Sequence, residues 1–233
     1  MILAAGKGER LKPLTNTLAK PLVQAGGKAL ILWQMERLKK AGFNHLVINV
    51  AYLPFQIKNF IQNSSEILNL NFKSILFSDE NPALETAGGI KKALHLIEKT
   101  AKNLPFLVVN ADVYTEFNYF HFFEKYKNIK KNEGVIVLNK NPKHHLQGDF
   151  SLNKNNFVIL KNRQTFTYTG IGIFKKDFFN VVPENKPYPL KPVLENAILN
   201  QHLKGEKNTS FWLDVGTLER LKELELYLKK NCI

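Results

Sequence analysis

The amino-acid sequence predicts an α/β fold, a mixed and mostly parallel sheet flanked by helices on both faces. Three observations carry this expectation. Short apolar runs alternate with amphipathic segments in a β-α-β-α rhythm along the chain. Residues 1–3 are an apolar run that feeds at once into a glycine-bearing loop. The 233 residues, 44% hydrophobic and 11% aromatic, can bury one substantial core and fit a single domain.

The elements follow in order. After the strand at 1–3, strands are expected at 46–50, 71–77, 105–110, 133–139 and 166–174. Helices are expected at 29–41, 54–62, 86–97, 117–127, 189–201 and 217–229. In the first helix Ile31, Met35 and Leu38 recur at helical spacing, and Gly42 supplies the stop. Met35 and Trp33 read as core filling. No repeat, low-complexity tract or long linker interrupts the pattern. Open parallel sheets bind ligands beyond the carboxyl ends of their strands, so the loops after Leu3, Phe77, Asn110 and Phe174 are where a site is expected.

Composition narrows the function. The net charge is +13, from 33 basic and 20 acidic side chains. The lysine pairs, among them Lys39-Lys40, Lys91-Lys92 and Lys175-Lys176, are scattered over expected helix ends and turns, and no nucleic-acid-binding signature occurs. Solvated lysine faces explain this charge better than a nucleic-acid partner, and the same field steers an anionic substrate. No apolar run approaches the ~18 residues of a membrane span, and residues 1–5 are too short for a signal-peptide core. Cys232 is the single cysteine, which excludes an internal disulfide framework and a cysteine-rich metal site. A reducing, cytoplasmic location is expected, with no membrane partner.

The chemistry begins in Ala4-Ala5-Gly6-Lys7-Gly8-Glu9-Arg10. Gly6 and Gly8 carry no Cβ to keep a phosphate from main-chain N–H groups, and Arg10 ends the loop with a guanidinium. Lys20, held before Pro21, adds a second fixed cation. The string is neither G-x-G-x-x-G nor G-x-x-x-x-G-K-[ST]. Two carboxylates stand at expected strand ends, Asp112 in Asn110-Ala111-Asp112 and Asp214 in Trp212-Leu213-Asp214-Val215-Gly216-Thr217. An Asp buried at such a point needs a cation or donors nearby, although capping a turn is the simpler role. Paired carboxylates with water and phosphate oxygens form a hard, octahedral set suited to magnesium. Thr86 and Thr217 read as helix N-caps, and N–H groups at the start of the Thr86 helix would favour an acceptor or anion. The adjacent His144 and His145 suit a hydrogen-bonded rim better than zinc, which needs more ligands than Asp149 alone adds.

Together, L-A-A-G-x-G-x-R-L-x-P-L-T and the following K-P-L resemble the signature of the sugar-phosphate nucleotidyltransferases, in motif order from Ile2 to Glu225. The resemblance implies a Rossmann-like nucleotidyltransferase domain over 1–233, with 1–112 mainly nucleotide-binding and 113–233 mainly sugar-phosphate-binding. It implies catalytic roles for Arg10, Lys20 and Asp112, and Mg²⁺ held by Asp112 and Asp214. On the same basis Ala4, Ala5, Gly6, Gly8, Glu9, Arg10, Lys20, Thr86 and Asn110 contact the nucleotide, with backbone near Ala4 to Gly6 bonding the base. Glu85-Thr86-Ala87-Gly88-Gly89 is the form found near the mannose-1-phosphate guanylyltransferases and muramate uridylyltransferases. Asn141-Pro142-Lys143-His144-His145-Leu146-Gln147-Gly148-Asp149-Phe150 resembles the N-P-x-H-H-x-x-G-D-F of the N-acetylmuramate 1-phosphate uridylyltransferases. That match implies UTP and N-acetylmuramic acid 1-phosphate as substrates, peptidoglycan recycling as the setting, and Gly148, Asp149, Thr169 and Gly170 at the sugar phosphate. Guanylyl transfer to mannose 1-phosphate, cytidylyl transfer to phosphocholine, and a non-catalytic nucleotide-sugar-binding subunit are the alternatives. The chain departs from the family in having Ala19 for the usual proline before Lys20, Ala111 for glycine, and fewer residues than usual before the first strand.

Overall fold

The computed structural model describes residues 1–231; Cys232 lies outside the described residues. A seven-stranded sheet organises the fold. Its strands are β1 (Ile2–Leu3), β2 (His45–Val50), β3 (Ser74–Asp79), β4 (Phe106–Asn110), β5 (Gly134–Asn139), β6 (Thr167–Phe174) and β7 (Leu203–Lys207). Their order is β7-β5-β6-β4-β1-β2-β3, and every pairing is parallel except those of β6 with β4 and β5. The helices are α1 (Leu30–Lys40), α2 (Pro54–Asn63), α3 (Ser65–Asn69), α4 (Glu85–Ala101), α5 (Tyr119–Tyr126), α6 (Leu190–Leu199) and α7 (Leu218–Asn231).

Alternation along the strands puts helices on both faces. In β4, Leu107 and Val109 join Ile31 and Met35 of α1, Ile57 of α2 and Phe122 of α5 in one core. Phe106 and Val108, one residue out of phase, join Ile90 and Ile97 of α4 and Val193 and Leu194 of α6 on the other face. A smaller cluster of Val23, Leu30, Tyr114, Leu213, Leu224 and Leu228 docks α7.

The expected strands and helices are present, with ends displaced by a few residues. β3 starts at Ser74 because Asn71 is left-handed (φ 51) and cannot continue a strand. Gly42 ends α1 as expected, at φ 87, with the next N–H, that of Phe43, donating to Leu38 O at 3.1 Å. β7 was not foreseen. Its Leu-Lys-Gly-Glu-Lys has a single large apolar residue because it is an edge strand, and Gly205 fits against Leu152 and Leu138 where a larger residue would not.

One expectation is corrected. Because β6 runs antiparallel to β4, with Ile171 opposite Val109 and Phe174 opposite Phe106, the loop after Phe174 lies at the edge away from the β1 and β4 carboxyl ends. The beginning of β6, not its end, shares the edge with Leu3 and Asn110. Fully buried Ile48 lies in the core next to β1. Ile48→Ala should lower the unfolding free energy in urea by about 3 kcal/mol. Phe55→Ala, at an exposed side chain, should stay within about 0.5 kcal/mol. Equal losses would contradict this core.

Candidate active site

The loop after β1 is fixed by its own small residues. Gly8 is left-handed (φ 69), and a Cβ there would sit 2.9 Å from Thr15 Cγ2 and 3.0 Å from Lys20 Cβ. The Thr15 hydroxyl donates to Gly8 O at 2.8 Å, so the glycine turn, Thr15 and Lys20 form one packed unit. This unit borders a cleft of about 400 Å³ lined by Ala4, Ala5, Gly6, Gly8, Lys20, Thr86, Asn110 and Asp112, together with Asn49, Glu80 and Glu85. Most of the expected nucleotide residues therefore meet in one cleft at the carboxyl edge of the sheet. Glu9 and Arg10 lie beyond its lining. Glu9 is at the surface in an ion pair with Lys12 at 2.5 Å, and that hydrogen bond holds its carboxyl below the usual range. Arg10 is instead directed at Gly216, where a Cβ would lie 3.0 Å from its Nη2.

The two expected metal carboxylates converge through backbone pairing. Residues Val113–Thr115 run antiparallel to Trp212–Asp214, with Asp214 opposite Val113, and the Val215 N–H donates to Asp112 O at 2.8 Å. Each carboxylate already has an internal cation. Lys20 Nζ donates to Asp112 Oδ2, and Arg220 Nη1 donates to Asp214 Oδ2 at 2.5 Å. Arg220, only 6% exposed, was not singled out from sequence, although its place one turn into the helix after Asp214 was a usable signal. Thr217 caps α7 as expected, its hydroxyl oxygen accepting from Arg220 N at 3.4 Å.

Asp214 Oδ1 is buried and has no hydrogen-bond partner, an acceptor suited to a cation. Among the described residues no group of three or more His, Cys, Asp or Glu side chains is arranged to hold a metal. The two carboxylates do not complete a cation site by themselves; their oxygens fit a hard divalent ion if water and phosphate oxygens supply the other ligands. Behind Asp112, fully buried Gln34 fixes the turn. Burial raises the Tyr119 hydroxyl above its ordinary range, so it stays protonated and donates to Gln34 Oε1 at 2.9 Å. Gln34 Nε2 is thereby left to donate to Val113 O at 2.5 Å and Asn110 O at 3.3 Å.

On the base side, two expectations change. The Ala4 N–H donates to Asn49 Oδ1 at 2.9 Å and is spent within the protein, so it is not free for the base contact expected of it. Thr86 does not cap α4: the helix begins at Glu85, which is left-handed (φ 56), and the Ala87 and Gly88 N–H groups both donate to Tyr188 O at 3.0 Å. The carbonyl from 188 does the work a side-chain cap or anion was expected to do. Asn49 also donates to buried Glu80, whose second oxygen accepts from Leu84 N at 2.8 Å. Neither residue was foreseen, since each sits at a strand end with no motif around it.

On the expected sugar side, Asp149 Oδ2 accepts from Tyr168 N at 2.8 Å and Oδ1 lies 3.1 Å from His145 Nε2. Gly148 (φ 56) leaves space for Asn141, whose Oδ1 a Cβ would approach to 2.5 Å, and its own N–H donates to His145 O at 3.1 Å. Thr169 is 1% exposed and donates to Val137 O at 2.8 Å, which makes it scaffold. Gly170 (φ 76) lets the Asn110 side chain pass over β6. His144 leaves this loop and reaches the carboxylate pair: its Nε2 accepts from Arg220 Nη1 at 2.9 Å and lies 3.3 Å from Asp214 Oδ1. The loop at 141–149 thus touches Asp214 directly.

A parallel sheet edge carrying a glycine loop, a fixed lysine and paired carboxylates defines an enzyme that handles nucleotide phosphates. The chain belongs to the nucleotidyl transferase family, whose model matches residues 1–231. It is 40% identical over 230 residues to the N-acetylmuramate alpha-1-phosphate uridylyltransferase of Neisseria meningitidis serogroup B, covering 97% of this chain and 96% of that one. It is 30% identical over 223 residues to the mannose-1-phosphate guanylyltransferase catalytic subunit beta of Drosophila melanogaster, covering 93% of this chain and 58% of that one. In fold it is similar to an apo UDP-glucose pyrophosphorylase (TM-score 0.81, 16% identity, 100% of this chain and 98% of that chain). It is likewise similar to HddC of Yersinia pseudotuberculosis with GMP-PN (TM-score 0.77, 23% identity, 97% of each chain). No helix among the described residues is long and apolar enough to cross a membrane.

The pairing of Arg220 with Asp214 has a stability consequence. Arg220→Met leaves Asp214 without its buried cation and should cost about 3 kcal/mol in denaturant unfolding. A loss under about 0.5 kcal/mol would show that solvent neutralises Asp214 equally well.

Proposed function

We propose that the chain transfers a uridylyl group from UTP to N-acetylmuramic acid 1-phosphate, giving UDP-N-acetylmuramic acid and pyrophosphate. The observation that carries this reading is the 40% identity to the Neisseria enzyme over 97% of this chain, supported by the ion pair of Lys20 with Asp112 in the cleft and the strand pairing that sets Asp214 beside Asp112. A phosphate oxygen of the sugar phosphate attacks the α-phosphorus in line. The new P–O bond forms as the bond to the β-phosphate oxygen breaks, and pyrophosphate leaves with that electron pair. No general base is required, because a phosphate monoester with a second pKa of ~6 is already mostly dianionic at neutral pH. Catalysis is then positioning and charge neutralisation.

In this scheme Lys20 exchanges Asp112 for the α-phosphate and the incoming phosphate, while Arg10 neutralises the departing pyrophosphate from the loop rim. Asp112 and Asp214 would hold Mg²⁺, which when bound supplies charge neutralisation at the phosphates. Asn49 and Glu80 hold the wall facing the base. The loop at 141–149 supplies the sugar side, and its contact with Asp214 through His144 sets that loop against the reacting phosphates. A lactyl carboxylate distinguishes this sugar phosphate, and the basic chain offers that anion a favourable field. The uridylylated product fits peptidoglycan recycling in a reducing cytoplasm.

Pyrophosphate release over a matrix of nucleotides and sugar phosphates tests the substrates. UTP with N-acetylmuramic acid 1-phosphate should give the highest kcat/KM, and equal or better use of GTP with mannose 1-phosphate would overturn the assignment. EDTA should abolish turnover and Mg²⁺ restore it, and Asp112→Asn and Asp214→Asn should each lose at least ~100-fold in kcat. Lys20→Ala should lower kcat more than it raises the KM for UTP, since a bridge between reacting phosphates matters most in the transition state. A change confined to KM would reduce Lys20 to ground-state binding. Asp149→Ala frees the Tyr168 amide and His145, so it should raise the KM for the sugar phosphate while UTP binding is retained.

A further inference from the structure

We infer that Gln56 is a positioning residue for Lys20, acting through the backbone amide of Ala19. The inference rests on the proposed phosphate-facing role of Lys20. Between Leu11 and Lys20 the chain makes only one short 3₁₀ turn, Leu14–Asn16, so it lacks a ladder of its own to hold it. Its backbone groups are satisfied from α2 and the residues just before it. Gln56 Oε1 accepts from the Ala19 N–H at 2.9 Å, and Gln56 Nε2 donates to Thr17 O at 2.8 Å. The Tyr52 hydroxyl donates to Thr15 O at 2.8 Å, and Thr15 in turn donates to Gly8 O. One amide side chain therefore spans both sides of Leu18, immediately before the reactive lysine.

Neither Gln56 nor Ala19 lines the cleft, so the glutamine acts on the lysine's place and not on a ligand. Ala19 is fully buried and its N–H takes its acceptor from Gln56, so losing that side chain removes the protein's own anchor for this amide. The contact is also separable by design. Ala19 has φ −60 and ψ 130, and proline fixes φ near −65°, so Ala19→Pro keeps the backbone while deleting the N–H that Gln56 holds, its Cδ displacing the Gln56 amide from that position. Once that N–H is gone, Gln56 has much less to position.

The experiment is a double-mutant cycle in steady-state turnover, with hydrogen–deuterium exchange across residues 15–23 measured on the same proteins. Gln56→Ala should lower kcat roughly tenfold, leave both KM values within about twofold, and speed amide exchange in that segment. Ala19→Pro should stay within about threefold of the parent, and adding Gln56→Ala to it should cost no more than about twofold further. The same fold-loss from Gln56→Ala in both backgrounds overturns the inference, as does unchanged exchange in Gln56→Ala, which stands even if Ala19→Pro does not fold. Lys20→Ala in the same assay separates the two readings. Undiminished kcat there removes the role of Lys20 itself, whereas a collapse combined with an additive cycle removes only that of Gln56.

Discussion

The arrangement depends on one electrostatic constraint: two partly exposed carboxylates, Asp112 and Asp214, are brought together by backbone pairing, and each faces an internal cation. Partial exposure keeps the cost of losing one cation at or below the ~3–5 kcal/mol of a fully buried pair, but two neighbouring carboxylates without cations would also repel each other. The fold resolves this by bringing Lys20 from the first loop and Arg220 from the last helix to the same place. Beginning and end of the chain are thereby tied to its middle, since the turn carrying Asp112 lies 92 residues from Lys20. The same charges suit the chemistry. In the proposed reaction, cations that balance carboxylates in the ligand-free protein would pass to the phosphates of the nucleotide.

Rigidity behind this centre comes from amides. Gln34 grips the carbonyls on either side of Asp112, Asn49 joins the first loop to Glu80, and Gln56 spans the backbone ahead of Lys20. Each amide has one donor end and one acceptor end and so fixes backbone without adding net charge. A glutamine or asparagine can therefore hold a charged site in place without shifting its electrostatic balance.

Much of this was legible in the sequence, and the remainder was hidden for physical reasons. Strands such as β4 and helices such as α1 announce themselves by periodicity, because each buries a defined face. The glycine loop, Lys20, Asp112 and Asp214 are readable because close approach and charge demand those residue types. Strand direction leaves no such trace: an apolar run reads the same either way, so the Phe174 end of β6 was placed at the wrong edge. Residues that act through backbone groups, such as Gln34, Asn49 and Gln56, look like ordinary polar positions until the fold supplies their partners. Thr86 and Thr169 show the converse: the Tyr188 carbonyl takes the capping role expected of Thr86, which still lines the cleft, and Thr169 spends its hydroxyl on Val137 O.

The central claim is that Asp112 and Asp214 form one divalent-cation site completed by phosphate oxygens. Titration of Mn²⁺ into the protein, followed by electron paramagnetic resonance with and without UTP, tests it most directly. The account predicts one tightly bound Mn²⁺ per chain that requires UTP and is lost in both Asp112→Asn and Asp214→Asn. Undiminished UTP-dependent Mn²⁺ binding in either variant would contradict it.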